Sequence, residues 1–427
     1  MREYASMNKD ELLKELELVR KEYDEFKARG LSLDMSRGKP GADQLNLSNG
    51  LFHTLTHDDY CDDMGIDCRN YGGIDGIKEA KEMFAELLEI EPDEVIIGGN
   101  SSLALMFDNI ASNMTHGVHD GQPWATQGGV KFLCPSPGYD RHFSICKYMH
   151  ITMIPIKMTP DGPDMDEVER LAQTDPMIKG IWCVPKYSNP DGIVYSDETV
   201  RRIAYLKPAA SDFRVYWDNA YFIHHIDGEI ARIPNILRLC KEAGNEDMPL
   251  IFCSFSKVTF PGSAISCLAA SKTNIEYIKK RFSIQMVGPD KLNQLRHVRF
   301  LKNAQGVIEH MNKHAAILKP KFDAVDTILR ERLGGLGIIN WKRPSGGYFI
   351  SVFVKKGCAK RVVELCKNAG VKLTAAGATY PYGYDPDDSN IRIAPTYPGT
   401  DELKKACELF CICTKLAALE KLTKEFR

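Results

Sequence analysis

Six short apolar runs, separated by stretches of helical periodicity, constrain this fold more than any other feature of the chain. They are Val95 to Gly99, Val130 to Cys134, Ile151 to Ile156, Ile178 to Val184, Phe213 to Trp217 and Leu250 to Cys253. Each is too short for an ordinary helix and is bounded by polar or turn-forming residues, so each reads as a buried strand. Between them lie segments such as Ile77, Ala80, Met83, Phe84, Leu87 and Leu88, or the run from Leu103 to Met114, whose apolar residues recur at helical spacing. Strands alternating with helices imply an α/β fold, here a three-layer αβα domain around a mostly parallel sheet covered on both faces. In such a sheet, ligands bind beyond the carboxyl ends of the strands.

The remaining segments suggest a second, smaller α+β unit. Asn8 to Glu11 reads as a capping box that starts a first helix, and Gly30 ends it. Past residue 273 the pattern is helical into the 320s. Pro344 to Phe353 and Asn390 to Pro395 then read as turn and strand, and Thr400 to Phe426 as a closing amphipathic helix. The expected division is 1–50 as an N-terminal arm and part of the small domain, 51–320 as the large domain, and 321–427 as the small C-terminal domain.

Composition closes off several function classes. A formal net charge of −2 with no basic block argues against nucleic acid or an anionic membrane as partner. No apolar run approaches a membrane span, and the N-terminal residues contain no apolar signal core, so a cytoplasmic protein is expected. The thirteen cysteines are scattered, without the paired spacing of a metal site, and read as reduced structural thiols.

The strand ends collect the chemistry. Asn100-Ser101-Ser102 follows the first run and opens a helix, which makes either an anion site or an ordinary N-cap. Tyr139 follows the second run and Asn189-Pro-Asp-Gly the fourth. Asp218 and Tyr221 follow the fifth, three apart, so both can reach one ligand. Ser254-Phe-Ser-Lys257 follows the sixth. Taken singly, each has a bland reading: Asp218 as a turn residue, Tyr221 as a core aromatic, Lys257 as a solvated strand end. Taken together they match the needs of pyridoxal 5'-phosphate. A desolvated lysine amine attacks its carbonyl. A carboxylate (Asp218) keeps its ring nitrogen protonated. Asn189 and Tyr221 bond the ring hydroxyl, Tyr139 lies on the ring, and Ser101, Ser102 and Ser254 meet the phosphate. Arg392 is the candidate fork for a substrate carboxylate. The Gly- and Pro-rich segment Leu33 to Gly41 reads either as a linker or, from its mix of Arg, Lys and glycine, as a loop that can meet an anionic ligand.

In this order the motifs Tyr71-Gly-Gly, Pro137-Gly-Tyr139, Asn189-Pro-Asp-Gly, Asp218-Asn-Ala-Tyr221, Ser254-Phe-Ser-Lys257 and Arg392-Ile-Ala-Pro resemble the fold-type I, class I aminotransferases over nearly the whole chain. The Ser36 loop and Gly288 to His297 are similar to the bacterial aspartate aminotransferase subgroup called type Ic. The resemblance implies a homodimer with shared sites, Tyr71 reaching the neighbouring subunit's phosphate. It implies Lys257 as the imine-forming amine and proton carrier, Arg392 on the substrate α-carboxylate, and Gly38 and Asn189 beside it. It implies transamination between L-aspartate and 2-oxoglutarate. An aminotransferase or β-lyase for another amino acid (alanine, aromatic or kynurenine type) stays open. A non-enzymatic regulator of the same fold is set aside because that family carries an added DNA-binding domain. One position departs from the wider family: Ile265, eight residues after Lys257, stands where most relatives carry a phosphate-binding arginine. For the side chain of a dicarboxylate, Lys39, Lys291 and Arg296 are the candidate cations.

Overall fold

The computed structural model describes residues 2–425. Eight strands form the main sheet, in the spatial order Val95–Gly98, Ser266–Ala269, Pro249–Ser254, Arg214–Asp218, Ile178–Cys183, Lys131–Ser136, Thr152–Thr159 and Gly162–Pro163. The five from Pro249–Ser254 to Thr152–Thr159 are mutually parallel. Ser266–Ala269 runs antiparallel to both of its neighbours. This strand escaped the sequence reading, because it follows Lys257 within one short loop and lacks a helix to set it apart. The central strands are buried at every position, as expected for a sheet with helices on both faces. Two apolar layers, one on each side, include Leu133, Ile181 and Val215 against Phe132, Trp182 and Tyr216, neighbours in sequence that point to opposite faces.

A third core belongs to the chain termini. It gathers the helix Lys9–Lys27, an antiparallel sheet of Ile339–Trp341, Ile350–Val354 and Asn390–Ile393, and the helices Ala359–Asn368 and Thr400–Glu425. The first helix starts on the expected capping box: Glu11 N donates to Asn8 Oδ1 and Asn8 N to the Glu11 carboxylate. Gly30, at φ +63°, lies just beyond its end. The closing helix corrects the amphipathic reading. Residues 409–414 are all buried, because the helices Lys9–Lys27, Ala304–Leu333 and Ala359–Asn368 all pack against it; Phe426 lies outside the described residues. The long helix Ala304–Leu333 serves both regions. Val307 and Met311 pack under the main sheet, whereas Leu318, Phe322, Val325 and Leu329 pack into the terminal core. The changeover falls between Met311 and Leu318. Among the described residues no helix is long and apolar enough to cross a membrane.

Candidate active site

Lys257 stands in the wall between two cavities. The first, about 290 Å³, is lined by Ser101, Ser102, Asp218 and Ser254. The second, about 390 Å³, is lined by Gly38 and Arg392. Tyr139, Asn189, Tyr221 and Lys257 border both. Two chambers of one site therefore meet at the lysine, and the strand ends of the main sheet supply most of the first. Tyr71 lines neither chamber and is 78% exposed.

Burial pushes the Lys257 amine below its ordinary value, with the Asp218 charge acting in the opposite direction. Its Nζ lies 4.9 Å from the centre of the Tyr221 ring. Asp218 closes the strand Arg214–Asp218 and is 2% exposed. Its Oδ2 pairs with His142 Nε2 at 2.9 Å, and the imidazole stacks flat on Trp182 at 4.1 Å. Oδ1 is buried with no partner. An unpaired buried carboxylate oxygen is costly, so a ligand that brings a protonated ring nitrogen to it meets a real need. Burial also holds the Tyr139 and Tyr221 phenols protonated, which keeps both as hydrogen-bond donors.

The far end of this chamber suits a phosphate. Ser101 is the N-cap residue of the helix Ser102–His116, yet its side chain makes no capping bond. Asn100 is turned away, with Nδ2 donating to Pro261 O at 3.1 Å. The plain N-cap alternative is thus not the use these residues have. The first helical amides and the positive end of the helix dipole are left for an anion. Ser254 Oγ donates to Ser256 Oγ at 3.0 Å, and Ser256 Oγ to Asn100 O at 2.7 Å, which holds the hydroxyls together. Among the described residues Lys257 is the one basic side chain lining this chamber. Ile265 is a core residue whose neighbourhood is apolar, and its carbonyl accepts from Phe255 N at 2.8 Å.

The second chamber centres on Arg392, in the strand Asn390–Ile393. Nη1 donates to Asp140 Oδ1 at 3.0 Å and to Asn189 Oδ1 at 3.2 Å, Nη2 donates to Thr374 Oγ1 at 3.3 Å, and Nε has no partner. The guanidinium lies over Phe349 at 4.6 Å. Gly38 runs along the same ring, and a Cβ there would collide with it. Of the cations proposed for a second carboxylate, none lines this chamber. Lys39 sits over Tyr397, Lys291 donates to the carbonyls of Asn70 and Gly72 at 2.6 and 2.7 Å, and Arg296 bonds Ser263. Arg37, Arg141 and Lys372 line it instead.

His142 and Asp140 were invisible in sequence although they directly follow Tyr139 in the helix Asp140–Tyr148. Their partners lie 76 and 252 residues away, and no local pattern announces such pairs. A larger cavity, about 920 Å³, lies behind the site between the sheet edge and the terminal core, and none of the expected site residues lines it. Asp191 does, with Oδ1 buried and unpaired. Burial raises this carboxyl to about 7. Folded protein therefore holds a proton that the unfolded chain has lost, and stability falls as pH rises from about 4 to 7. Relative to Asp191→Asn, the parent should lose about 2–3 kcal/mol between pH 5 and pH 8. Urea unfolding of both proteins at the two pH values measures this, and an unchanged difference would contradict it.

Residues 7–426 match the family described as Aspartate amino-transferase. An aspartate aminotransferase from Corynebacterium glutamicum is 42% identical over 403 residues, covering 94% of this chain and 93% of that one. The crystal structure of an aspartate transaminase from the same species superposes with a TM-score of 0.95 at 41% identity, covering 97% and 98% of the two chains. More distantly, the α-aminoadipate aminotransferase LysN of Thermus thermophilus, solved with N-(5'-phosphopyridoxyl)-L-leucine, has a TM-score of 0.74 at 18% identity, covering 93% and 95%, and shares the fold.

Proposed function

The chain belongs to the aspartate amino-transferase family and is an aminotransferase, and from that premise we propose that it uses pyridoxal 5'-phosphate to exchange the amino group of L-aspartate with 2-oxoglutarate, giving oxaloacetate and L-glutamate by a ping-pong course. The observation that carries this reading is the placement of a half-buried, desolvated lysine between a chamber with an unpaired carboxylate oxygen and a chamber with a buried arginine. When bound, pyridoxal phosphate supplies a reactive carbonyl and an electron-accepting ring.

The chain's own residues do the rest. Lys257 Nζ, its basicity lowered by burial, would be the nucleophile toward the cofactor carbonyl and, once displaced, the base that carries the proton on and off the substrate α-carbon. Asp218 Oδ1, which has no partner, would accept from the ring nitrogen, while His142 occupies Oδ2 and fixes the carboxylate. Asn189 gives Oδ1 to Arg392, so its Nδ2 is left to donate to the ring hydroxyl beside Tyr221. Tyr139 covers the ring. Ser101, Ser102, Ser254 and the helix amides would hold the phosphate. Arg392 takes the α-carboxylate after releasing Asp140, with Gly38 alongside. Arg37 and Arg141 suit a second carboxylate. Exposed Tyr71 is available to a second copy of the chain, and the reading includes a homodimer with sites completed across the interface. Thirteen free cysteines, twelve of them buried, are in keeping with the cytoplasm.

A screen of half-reactions tests the substrate. L-Aspartate and L-glutamate should each convert the near-visible absorbance of the cofactor-loaded protein to that of its aminated form. If both fail while another amino acid succeeds, the aspartate assignment is wrong.

A further inference from the structure

The turn that carries Lys257 is gripped from below by a buried polar cluster that none of the roles above uses. Two consecutive carbonyls of the turn are held: Lys257 O accepts from Tyr348 Oη at 3.4 Å, and Val258 O accepts from His314 Nε2 at 3.0 Å. Both donors are in turn held by one side chain. Gln44 Nε2 lies 2.8 Å from Tyr348 Oη and 3.0 Å from His314 Nδ1, spending its two N–H groups on the two residues. Its Oε1 accepts from Gly41 N at 3.3 Å. Gln44 is 0% exposed.

The proton positions are consistent throughout. Burial lowers His314 to about 4, so the imidazole is neutral at physiological pH. With Nδ1 accepting from Gln44, its proton sits on Nε2 and faces Val258 O. His310 Nε2 reaches the same carbonyl at 2.9 Å and supports it from the same helix, one turn away. Tyr348 accepts from Gln44 and can therefore donate to Lys257 O.

Gln44 sits just beyond the loop Ser36 to Gly41, whose Gly38 borders the Arg392 chamber. Thr396 Oγ1 fastens the same loop by donating to Lys39 O at 2.9 Å. Tyr348 adjoins Phe349, the ring under Arg392. We infer that Gln44 is a positioning residue: through Tyr348 and His314 it fixes the Lys257 turn relative to the loop and arginine that take the substrate carboxylate. The inference rests on the reading of Lys257 given above. A lysine that must reach both the cofactor carbonyl and the substrate α-carbon tolerates little displacement, since errors near 1 Å cost about 100-fold in rate.

The test uses the full-length, cofactor-loaded enzyme. Gln44→Leu should lower kcat, expressed per bound cofactor, about 10-fold while changing the amino-acid KM less than about 3-fold. It should also displace the pH midpoint of the near-visible absorbance, which reports the surroundings of Lys257 Nζ. Tyr348→Phe, which deletes one oxygen, should act in the same direction. Its effect should shrink in the Gln44→Leu background, because both act through one chain of contacts. A parent with the absorbance band, and variants that lose only melting temperature while kcat per cofactor and the midpoint stay as in the parent, would overturn the role of Gln44. If Gln44→Leu does not fold, Tyr348→Phe decides on the same two readouts. A parent protein that never acquires the band overturns both this inference and the cofactor reading.

Discussion

Lys257→Ala is expected to abolish the near-visible absorbance of a covalently held cofactor and to lower kcat by at least about 10⁴-fold. Among the described residues Lys257 is the only amine lining the chamber that holds Asp218. The neighbouring groups cannot take its place. Asp218 is committed to His142 through Oδ2, and burial keeps Tyr139 and Tyr221 protonated. The same substitution should leave the melting temperature of the cofactor-free protein equal or higher. An amine whose basicity is depressed by burial opposes folding, and its removal relieves that cost. Spectrum, turnover and melting curve thus separate a lost nucleophile from a lost fold, and a spectrum unchanged from the parent would remove Lys257 from the reaction.

Arg392→Ala is the second large effect. The substrate carboxylate loses a two-pronged, charge-assisted contact worth about 3 kcal/mol, so KM for the amino acid should rise about 100-fold or more. Asp140 sharpens the expectation. In the structure its carboxylate fills the place on Nη1 that a substrate would take. Without the arginine, the Asp140 carboxylate loses its ion-pair partner inside the chamber and opposes the incoming carboxylate. Arg392→Ala combined with Asp140→Asn should therefore recover part of the lost affinity, which steady-state KM values of the single and double variants measure. A near-normal KM for Arg392→Ala would take it out of carboxylate recognition. Arg392→Lys should rescue little, since a point charge cannot satisfy the fork made with Asp140, Asn189 and Thr374.

What could be read in the sequence was what lies close together in it. The central parallel strands declare themselves as apolar runs, because both faces are covered and every position is buried. The residues just past them, Asp218 and Tyr221 or Ser254 and Lys257, are held near one another by the strand itself. Ser266–Ala269 was missed because an antiparallel neighbour needs no intervening helix. The partners of the legible residues were not legible at all. His142 against Asp218, Asp140 against Arg392 and Gln44 against Tyr348 are pairings made by the fold, between segments whose own patterns say nothing of each other. Charge misled in the same way. Lys291 offered a cation, but it is 2% exposed and spends its protons on two backbone carbonyls that shape the Tyr71 loop. Arg141, which does border the chamber, carried no signal beyond being basic, whereas Arg37 lay in the loop read as able to meet an anionic ligand.

The helix Ala304–Leu333 has a consequence for how the molecule comes apart. A line drawn at 320 does not fall in a linker; it crosses an unbroken helix whose two ends are keyed into different apolar interiors. Truncation there would strip Phe322, Val325, Leu329 and Leu333 from the interior they fill and leave the remaining half-helix frayed at its new end. Because one helix is shared by both apolar interiors, unfolding of either region is expected to remove packing from a helix the other also uses.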